Sequence, residues 1–271
     1  MELETEQKIG KKLKADKDKK LKNFRLTDRD LDIFGFILEQ KFCSLEQIYF
    51  RFFDCRKAVT DPMPAGLHVT RQRLQILKRH GFLKSEKVYS EAKSLYLVTA
   101  LAVQVLRSKK PHLADLKVIS QIDFRNYEHD TKVNDCRIAI ERTGKIIRWL
   151  PERKLRAQGF ESDFSWDELP SELVPSELVP DGIFITSKGE RVAFEIETTP
   201  RKKSRYEEKL MGLRSVMLGS KPLLHRVIWV GYTDRVYGDL KEVAGSTDGF
   251  LIESYSHFLS KLWPRGMPEK V

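Results

Sequence analysis

Three segments in the first third of the chain carry hydrophobic residues at the three- and four-residue spacing of amphipathic helices. A polar residue suited to an N-cap precedes each of the first two, Thr27 and Ser44. The third segment spans Leu67–His80. Two short β-rich stretches follow, at 82–84 and 94–98, with a polar tip between them. The pattern therefore predicts three helices and then an antiparallel pair of strands.

The third helix has two unlike sides. One is a stripe for burial, formed by Leu67, Thr70, Leu74 and Leu77. The opposite side carries residues suited to phosphates and base edges: His68, Arg71, Gln72, Gln75, Lys78 and Arg79. Three helices followed by a β-hairpin resemble the winged helix-turn-helix, in which the third helix enters the major groove of DNA. The alternative is a winged module that contacts only proteins.

Beyond a short helix near 99–106 and the polar run Arg107–Pro111, helices and strands alternate. The expected elements are a helix at 129–142, a strand at 145–150, two strands around Ser187-Lys188-Gly189, a helix at 203–218, a strand at 226–231, a further helix, and a strand at 250–253. This αβββαβ order predicts an α/β fold, α+β overall. The expected divisions are a basic tail at 1–25, a winged domain at 26–118 and an α/β domain at 119–271.

The hairpin carries the candidate chemistry. A three-residue loop with Gly189 in the left-handed conformation pairs Thr186 with Glu190. That register sets Asp181 opposite Glu195, and strand alternation places Glu197 on the same face. Three carboxylates on one partly apolar face repel one another and lose hydration unless a cation lies among them. Mg²⁺ is the usual such cation.

A solvated face with lysine partners is the alternative for these acids. Two observations weigh against it. Ile183, Ile185 and Ala193 share the acidic face, so that face is expected to be covered at least in part. A strongly basic helix, which contains Arg205 and Lys209, also follows the hairpin at once.

Pro180-Asp181, a hairpin and then Glu195-Ile196-Glu197 resemble the core motif of the PD-(D/E)xK nucleases. The resemblance implies that Asp181 and Glu195, with the Ile196 carbonyl, hold Mg²⁺ or Mn²⁺. The chain departs from the motif because position 197 is Glu where the motif has Lys. Some members of that superfamily carry the Lys on the next helix, and Lys209 is the candidate here. Glu197 would then hold a second ion or Lys209 itself.

Both halves together resemble the replication-relaxation (MobC-like) family of mobile elements. The resemblance rests on the winged module, His129-x4-Asn134-Asp135, Trp149-x2-Glu152, the acidic hairpin and Lys209, and covers most of residues 26–240. It implies a DNA-binding accessory protein of plasmid replication or mobilisation, with His129 and Glu152 as secondary site residues. From the residues alone, the alternatives are that His129 is an ordinary histidine at the start of a helix and that Glu152 is an ordinary surface glutamate.

Composition agrees with a polyanionic partner. The net charge is +10, and 41% of residues are hydrophobic, as in folded globular proteins. The three cysteines are widely spaced without a CxxC pair, which suits reduced thiols in the cytoplasm. No apolar run is long enough for a membrane span, so no membrane contact is expected.

The sequence therefore predicts a DNA-binding protein that hydrolyses phosphodiester bonds with Mg²⁺ or Mn²⁺. Double-stranded DNA is the expected partner, together with a relaxase or replication protein, and a homodimer would supply two active sites for cutting both strands. Two alternatives remain open. One is a regulator or relaxosome component whose nuclease-like fold does not cut, and the other is a scaffold that recruits a partner protein.

Overall fold

The computed structural model describes residues 24–54, 64–89, 93–113, 115–158, 178–218 and 222–262. Helices and sheets are mixed throughout these ranges. Residues 1–23 of the expected basic tail lie outside them. The candidate site residues all lie inside.

The N-terminal half combines helices with a small antiparallel sheet of order β1-β3-β2. Its elements are α1 Asp28–Gln40, β1 Cys43–Ser44, α2 Leu45–Phe52, α3 Pro64–Arg79, β2 Leu83–Glu86, β3 Leu95–Val98 and α4 Ala100–Lys109. The three helices and the pair β2–β3 agree with the sequence. Strand β1 was not expected, since two residues are too few to give a periodic signal. The polar run Arg107–Pro111, beyond which the pattern of helices and strands changes, begins inside α4.

Both predicted helix caps form reciprocal capping boxes. The Thr27 hydroxyl accepts from the Asp30 N–H, and the Asp30 carboxylate accepts from the Thr27 N–H at 2.7 Å. Ser44 and Gln47 repeat this exchange at the start of α2, at 3.2 and 2.9 Å. These bonds satisfy N–H groups that have no partner inside the first helical turn.

The C-terminal half is built on a five-stranded sheet of order β4-β5-β6-β7-β8. Its elements are α5 Tyr127–Arg142, β4 Ile146–Pro151, α6 Glu152–Gln158, β5 Gly182–Thr186, β6 Arg191–Glu197, α7 Lys203–Ser215, β7 Arg226–Gly231, α8 Asp234–Ala244, β8 Phe250–Ser254 and α9 Tyr255–Leu262. Strands β4 to β6 are antiparallel, whereas β6 to β8 are parallel. The sequence predicted these five strands and the helices α5, α7 and α8, but neither α6 nor α9.

Alternation along the hairpin sends its side chains into two separate cores. Val192, Phe194 and Ile196 pack in a cluster with residues of α5 and α9. Ile183 and Ala193 point the other way, into a cluster with residues of α7 and α8. The acidic face of the hairpin is therefore covered by helices.

The two halves pack against each other through α5. Ile138 and Ala139 join the hydrophobic core of the N-terminal helices. The buried amide of Asn134 donates to the Phe42 carbonyl at 2.8 Å. Because α5 belongs to both cores, the domain boundaries stay a prediction.

Within the described ranges, no helix is both long and apolar enough to cross a bilayer.

Asp135, the next residue of α5, is a buried carboxyl at this junction. It accepts hydrogen bonds from Gln47 Nε2 at 2.7 Å and from the Tyr255 hydroxyl at 2.9 Å. Burial raises the pKa of Asp135 to about 6, even though both bonds favour its charged form. The carboxyl thus links α2, α5 and α9.

We expect Asp135→Asn to flatten the dependence of stability on pH. The folded protein holds a proton on Asp135 up to about pH 6, whereas the unfolded chain releases it near pH 4, so wild-type stability falls as pH rises through that window. The contribution lost is about 3 kcal/mol of unfolding free energy. Urea unfolding of both proteins from pH 4 to 7.5 measures it. Parallel profiles would contradict the assignment.

Candidate functional site

The predicted register of the hairpin is confirmed. The Thr186 N–H donates to the Glu190 carbonyl at 2.9 Å, and Gly189 turns the chain with φ of 80°. Gly182 pairs with Phe194, which sets Asp181 opposite Glu195 one position further along. Left-handed backbone at position 189 suits glycine because glycine has no Cβ.

Asp181, Glu195 and Glu197 are gathered at one end of β5 and β6 and are all buried, with 7%, 4% and 3% of their surface exposed. The Ile196 N–H donates to Asp181 Oδ2 at 2.8 Å, and the Asp181 N–H donates to Glu195 Oε2 at 3.3 Å. Carboxylates so far from water need positive partners. The face is therefore not solvated, although the lysine partner that this alternative expected is present, since Lys209 contacts Glu195.

Each carboxylate has a basic partner from a different part of the chain. Lys209 on α7 contacts Glu195, and its Nζ lies 3.8 Å from Glu197 Oε1. His129 Nε2 on α5 lies 2.8 Å from Asp181 Oδ1. Arg201, in the turn before α7, donates from Nε to Glu197 at 2.9 Å. Basic groups from α5, from α7 and from the turn before α7 thus converge on the hairpin and offset the cost of burying its charges.

The charges shift one another's pKa values in opposite directions. Burial raises the pKa of Glu195 to about 8, helped by the Asp181 charge and opposed by Lys209. Burial acts the same way on Asp181, but His129, Lys209 and the Ile196 N–H together outweigh it and lower the pKa of that carboxyl. For His129, burial favours the neutral ring, yet Asp181, Asp130 and Glu195 together outweigh it and raise the pKa of His129 to about 9. At neutral pH His129 is therefore a cation. Glu195 keeps its proton to a higher pH than Asp181 does, because the pKa of Glu195 is raised and that of Asp181 is lowered.

The donor set has the chemistry that Mg²⁺ requires. Carboxylate oxygens are hard ligands, and the backbone of Ile196 points to the strand edge where Asp181 lies, since the N–H and C=O of a strand residue face the same neighbour. In the described part of the chain, no group of three or more His, Cys, Asp or Glu side chains is arranged so that it could hold a metal ion. A cation at Glu195 would have to displace Lys209 from it.

Glu152 lies next to this cluster through its backbone, whose N–H donates to the Asp181 carbonyl at 3.1 Å. Its carboxylate instead accepts from Arg156 at 2.8 Å and lies 3.8 Å from Lys41 Nζ. Its role as a secondary site residue stays a prediction. Lys41 also contacts Asp130, the neighbour of His129, at 2.6 Å.

Two basic residues at the site were not named as site residues from the sequence. Arg201 follows Glu197 by four positions, a spacing that is meaningful within a helix but not across the turn found here. Lys41 is distant in sequence and reaches the site only because the two halves pack together. Arg205 lies one turn before Lys209 on the same basic helix, but it is exposed and pairs with Glu208.

The second candidate surface is the outer side of α3. The residues predicted to bind DNA are all exposed: His68, Arg71, Gln72, Gln75, Lys78 and Arg79. Gln72 and His68 contact each other at 2.8 Å, and Lys78 contacts Ser85 on β2. Thr70, Leu74 and Leu77 are fully buried on the inner side, as expected. Helix α3 therefore presents a polar and basic surface to solvent.

Comparison with known protein families, characterised proteins and solved structures finds no match for this chain. The resemblance to the replication-relaxation family accordingly stays a prediction. Evidence for the function therefore comes from the arrangement and charge of the side chains.

Gly182 joins the packing of the sheet to the acidic cluster. A Cβ at this position would lie 2.3 Å from the Trp149 ring, whose neighbours are Phe184 and Phe194. Only glycine lets the indole lie flat against the start of β5, directly beside Asp181. The position of this carboxylate therefore depends on the absence of a side chain next to it.

We expect Gly182→Ala to lower the free energy of unfolding by about 2 kcal/mol or more, because Trp149 must move. Denaturant unfolding measures the loss. Gly238→Ala is the matched control, since Gly238 lies within α8 with no atom near its added methyl group, and alanine favours helix. Equal stability of the two variants would contradict this account of the packing.

Proposed function

We propose that this chain is a DNA-binding protein with a Mg²⁺- or Mn²⁺-dependent endonuclease site in its C-terminal half. One observation carries the proposal. Three buried carboxylates on a hairpin, Asp181, Glu195 and Glu197, meet a lysine ammonium delivered by the helix that follows. Packing alone does not require this costly arrangement, whereas phosphodiester hydrolysis uses these groups.

Asp181, Glu195 and the Ile196 carbonyl would hold the cation. When bound, the ion acts as a Lewis acid that lowers the pKa of a water and neutralises charge on the phosphate. Once released from Glu195, Lys209 would orient the attacking water and stabilise negative charge on the phosphate oxygens. His129 would fix the orientation of the Asp181 carboxylate. Arg201 would hold Glu197 in place, leaving it available to Lys209 or to a second ion.

The fold supports this assignment. The order along the chain supports it, because α5, β4, β5, β6, α7 and β7 match the αβββαβ order expected of the PD-(D/E)xK core once the additional helix α6, between β4 and β5, is set aside. Lys209 on α7 corresponds to the form of the motif in which the lysine lies on the next helix. Position 197 then does not need a lysine and can be a glutamate.

We further propose that the N-terminal half is a winged helix-turn-helix that binds double-stranded DNA through α3. Its exposed side carries Arg71, Arg79 and the neighbouring polar residues, and the sheet β1-β3-β2 would form the wing. On this proposal, the chain is a mobile-element protein that acts with a relaxase or replication protein in the cytoplasm, and a homodimer would cut both strands.

One specific observation favours a second candidate, a DNA-binding regulator that does not cut. Every carboxylate of the cluster already has a basic partner, so the charges are balanced without a metal. If the cluster serves only to tie α5, α7 and the hairpin together, DNA binding remains and cleavage is lost.

We expect the purified protein to nick supercoiled plasmid in Mg²⁺ or Mn²⁺, and Asp181→Ala to reduce the rate at least about 100-fold by removing a ligand. Lys209→Met should reduce it similarly while leaving DNA affinity intact. Gel electrophoresis follows nicking, and a gel shift in the same buffer follows binding.

Glu208→Gln is the control, because Glu208 is next to Lys209 but exposed and outside the cluster. It should cut at the wild-type rate. Intact plasmid at all metal concentrations, with normal binding, would favour the regulator.

For α3 we expect Arg71→Ala and Arg79→Ala each to weaken duplex DNA binding about tenfold at moderate salt, and to reduce the salt dependence if the lost contact is to a phosphate. Fluorescence anisotropy measures both quantities. Arg107→Ala, an exposed arginine on α4, is matched in charge and should change neither. Unchanged affinity in both α3 variants would remove this helix from the interface.

A further inference from the structure

A cavity of about 400 Å³ lies over the sheet at the turn end of the hairpin, whereas the acidic cluster lies at the other end of β5. Phe184 on β5, Ile228 on β7 and Leu251 on β8 line it from the sheet. Helices α5 and α9 pack on the same face of the sheet and add Ile140 and Leu262 from their C-terminal ends. The cavity has the volume and the largely apolar lining of a small-molecule site.

The cavity leaves apolar side chains in contact with water. Ile228 and Leu251 are paired positions on neighbouring strands, and Leu251 is 45% exposed. Ile228 and Leu262 are only partly buried against the core cluster that contains Phe184. A ligand that covers this concave apolar surface removes it from water, which favours binding.

Six charged side chains also line the cavity: Lys145, Lys188, Glu190, Arg226, Glu253 and Lys261. Each of the two carboxylates has a basic partner within this set. Arg226 Nη2 lies 3.5 Å from Glu190 Oε1, and Lys261 Nζ lies 3.5 Å from Glu253 Oε1. The carboxylates are thus balanced by Arg226 and Lys261, and two lysines remain.

These two lysines, Lys145 and Lys188, lie close together in the sheet. The Ser187 N–H donates to the Lys145 carbonyl at 2.9 Å, which places Lys145 beside the turn that carries Lys188. Both side chains are exposed, and neither ammonium group has an ion-pair or hydrogen-bond partner within the part of the chain that the structure describes. The rim of the apolar cavity therefore carries two positive charges that no described carboxylate balances.

We propose that this cavity binds a small amphipathic anion. Its apolar chain or ring covers Phe184, Ile228 and Leu251, and its single acidic group lies between Lys145 and Lys188. A purely polar anion would bind weakly here, because exposed ion pairs contribute little free energy. A neutral apolar molecule would leave both ammonium groups without a partner. The site does not depend on the proposed function, since it is remote from Asp181 and the other carboxylates of the cluster.

The test uses octanoate as the probe and the full-length protein in isothermal titration calorimetry at physiological salt. We expect octanoate to bind, and octanol, which has the same chain length without the charge, to bind about fivefold more weakly. Lys145→Met and Lys188→Met should each weaken octanoate binding about three- to fivefold by removing one ion pair. Leu251→Ser should weaken it about fivefold by removing apolar contact. Since all three side chains are exposed, thermal unfolding of the variants should match that of wild type.

Lys202→Met and Met211→Ser are the matched controls. Lys202 is an exposed lysine and Met211 an exposed apolar residue of the same half, and neither lines the cavity. Both variants should bind octanoate within about twofold of wild type. Losses in the controls equal to those in the cavity variants would show nonspecific binding and overturn the proposal.

Four other results would also overturn it. The first is no binding of octanoate by wild type at millimolar concentration, and the second is binding of octanol as tight as that of octanoate. The third is much tighter octanoate binding in Trp263→Ala, which would make the residue that follows Leu262 in sequence the occupant. The fourth is displacement of octanoate by duplex DNA together with weaker DNA binding in Lys145→Met, which would assign the lysines to DNA phosphates.

Discussion

Three carboxylates buried at the end of one hairpin impose the main constraint on the C-terminal half. Charges of one sign cannot be kept out of water together unless opposite charge is brought to them. Here the opposite charge comes from α5, from the turn after β6 and from α7, through His129, Arg201 and Lys209. The hairpin, α5 and α7 are therefore fixed relative to one another by electrostatics as well as by packing.

The same arrangement explains why a stabilising role and a catalytic role are hard to separate at this site. Lys209 stabilises the metal-free protein by pairing with Glu195, and it would also be the group that faces the phosphate. A cation with two charges offsets the carboxylates more effectively than an ammonium and frees that lysine for chemistry. Function would then require the ion pair to open.

The hairpin was predictable because its signals are local. The Ser187-Lys188-Gly189 turn fixes the register, and the register fixes which face Asp181 and Glu195 share. The cap residues Thr27 and Ser44 marked helix starts for the same reason. Lys209 was found from the resemblance to a nuclease motif, and its place on the next helix agrees with the contact to Glu195.

What the sequence did not reveal depends on contacts between distant segments. Lys41 reaches Asp130 across 89 positions, and no periodicity encodes that distance. Strand β1 and helix α9 are short, and each forms against surfaces that other elements supply.

The most direct test of the central claim is the anomalous scattering of crystals soaked in Mn²⁺. The account predicts a peak among the oxygens of Asp181, Glu195 and the Ile196 carbonyl, with the Lys209 ammonium displaced from Glu195. Crystals without such a peak, in which Lys209 still contacts Glu195 at saturating Mn²⁺, would show that the lysine neutralises the cluster permanently. That result would contradict the nuclease assignment.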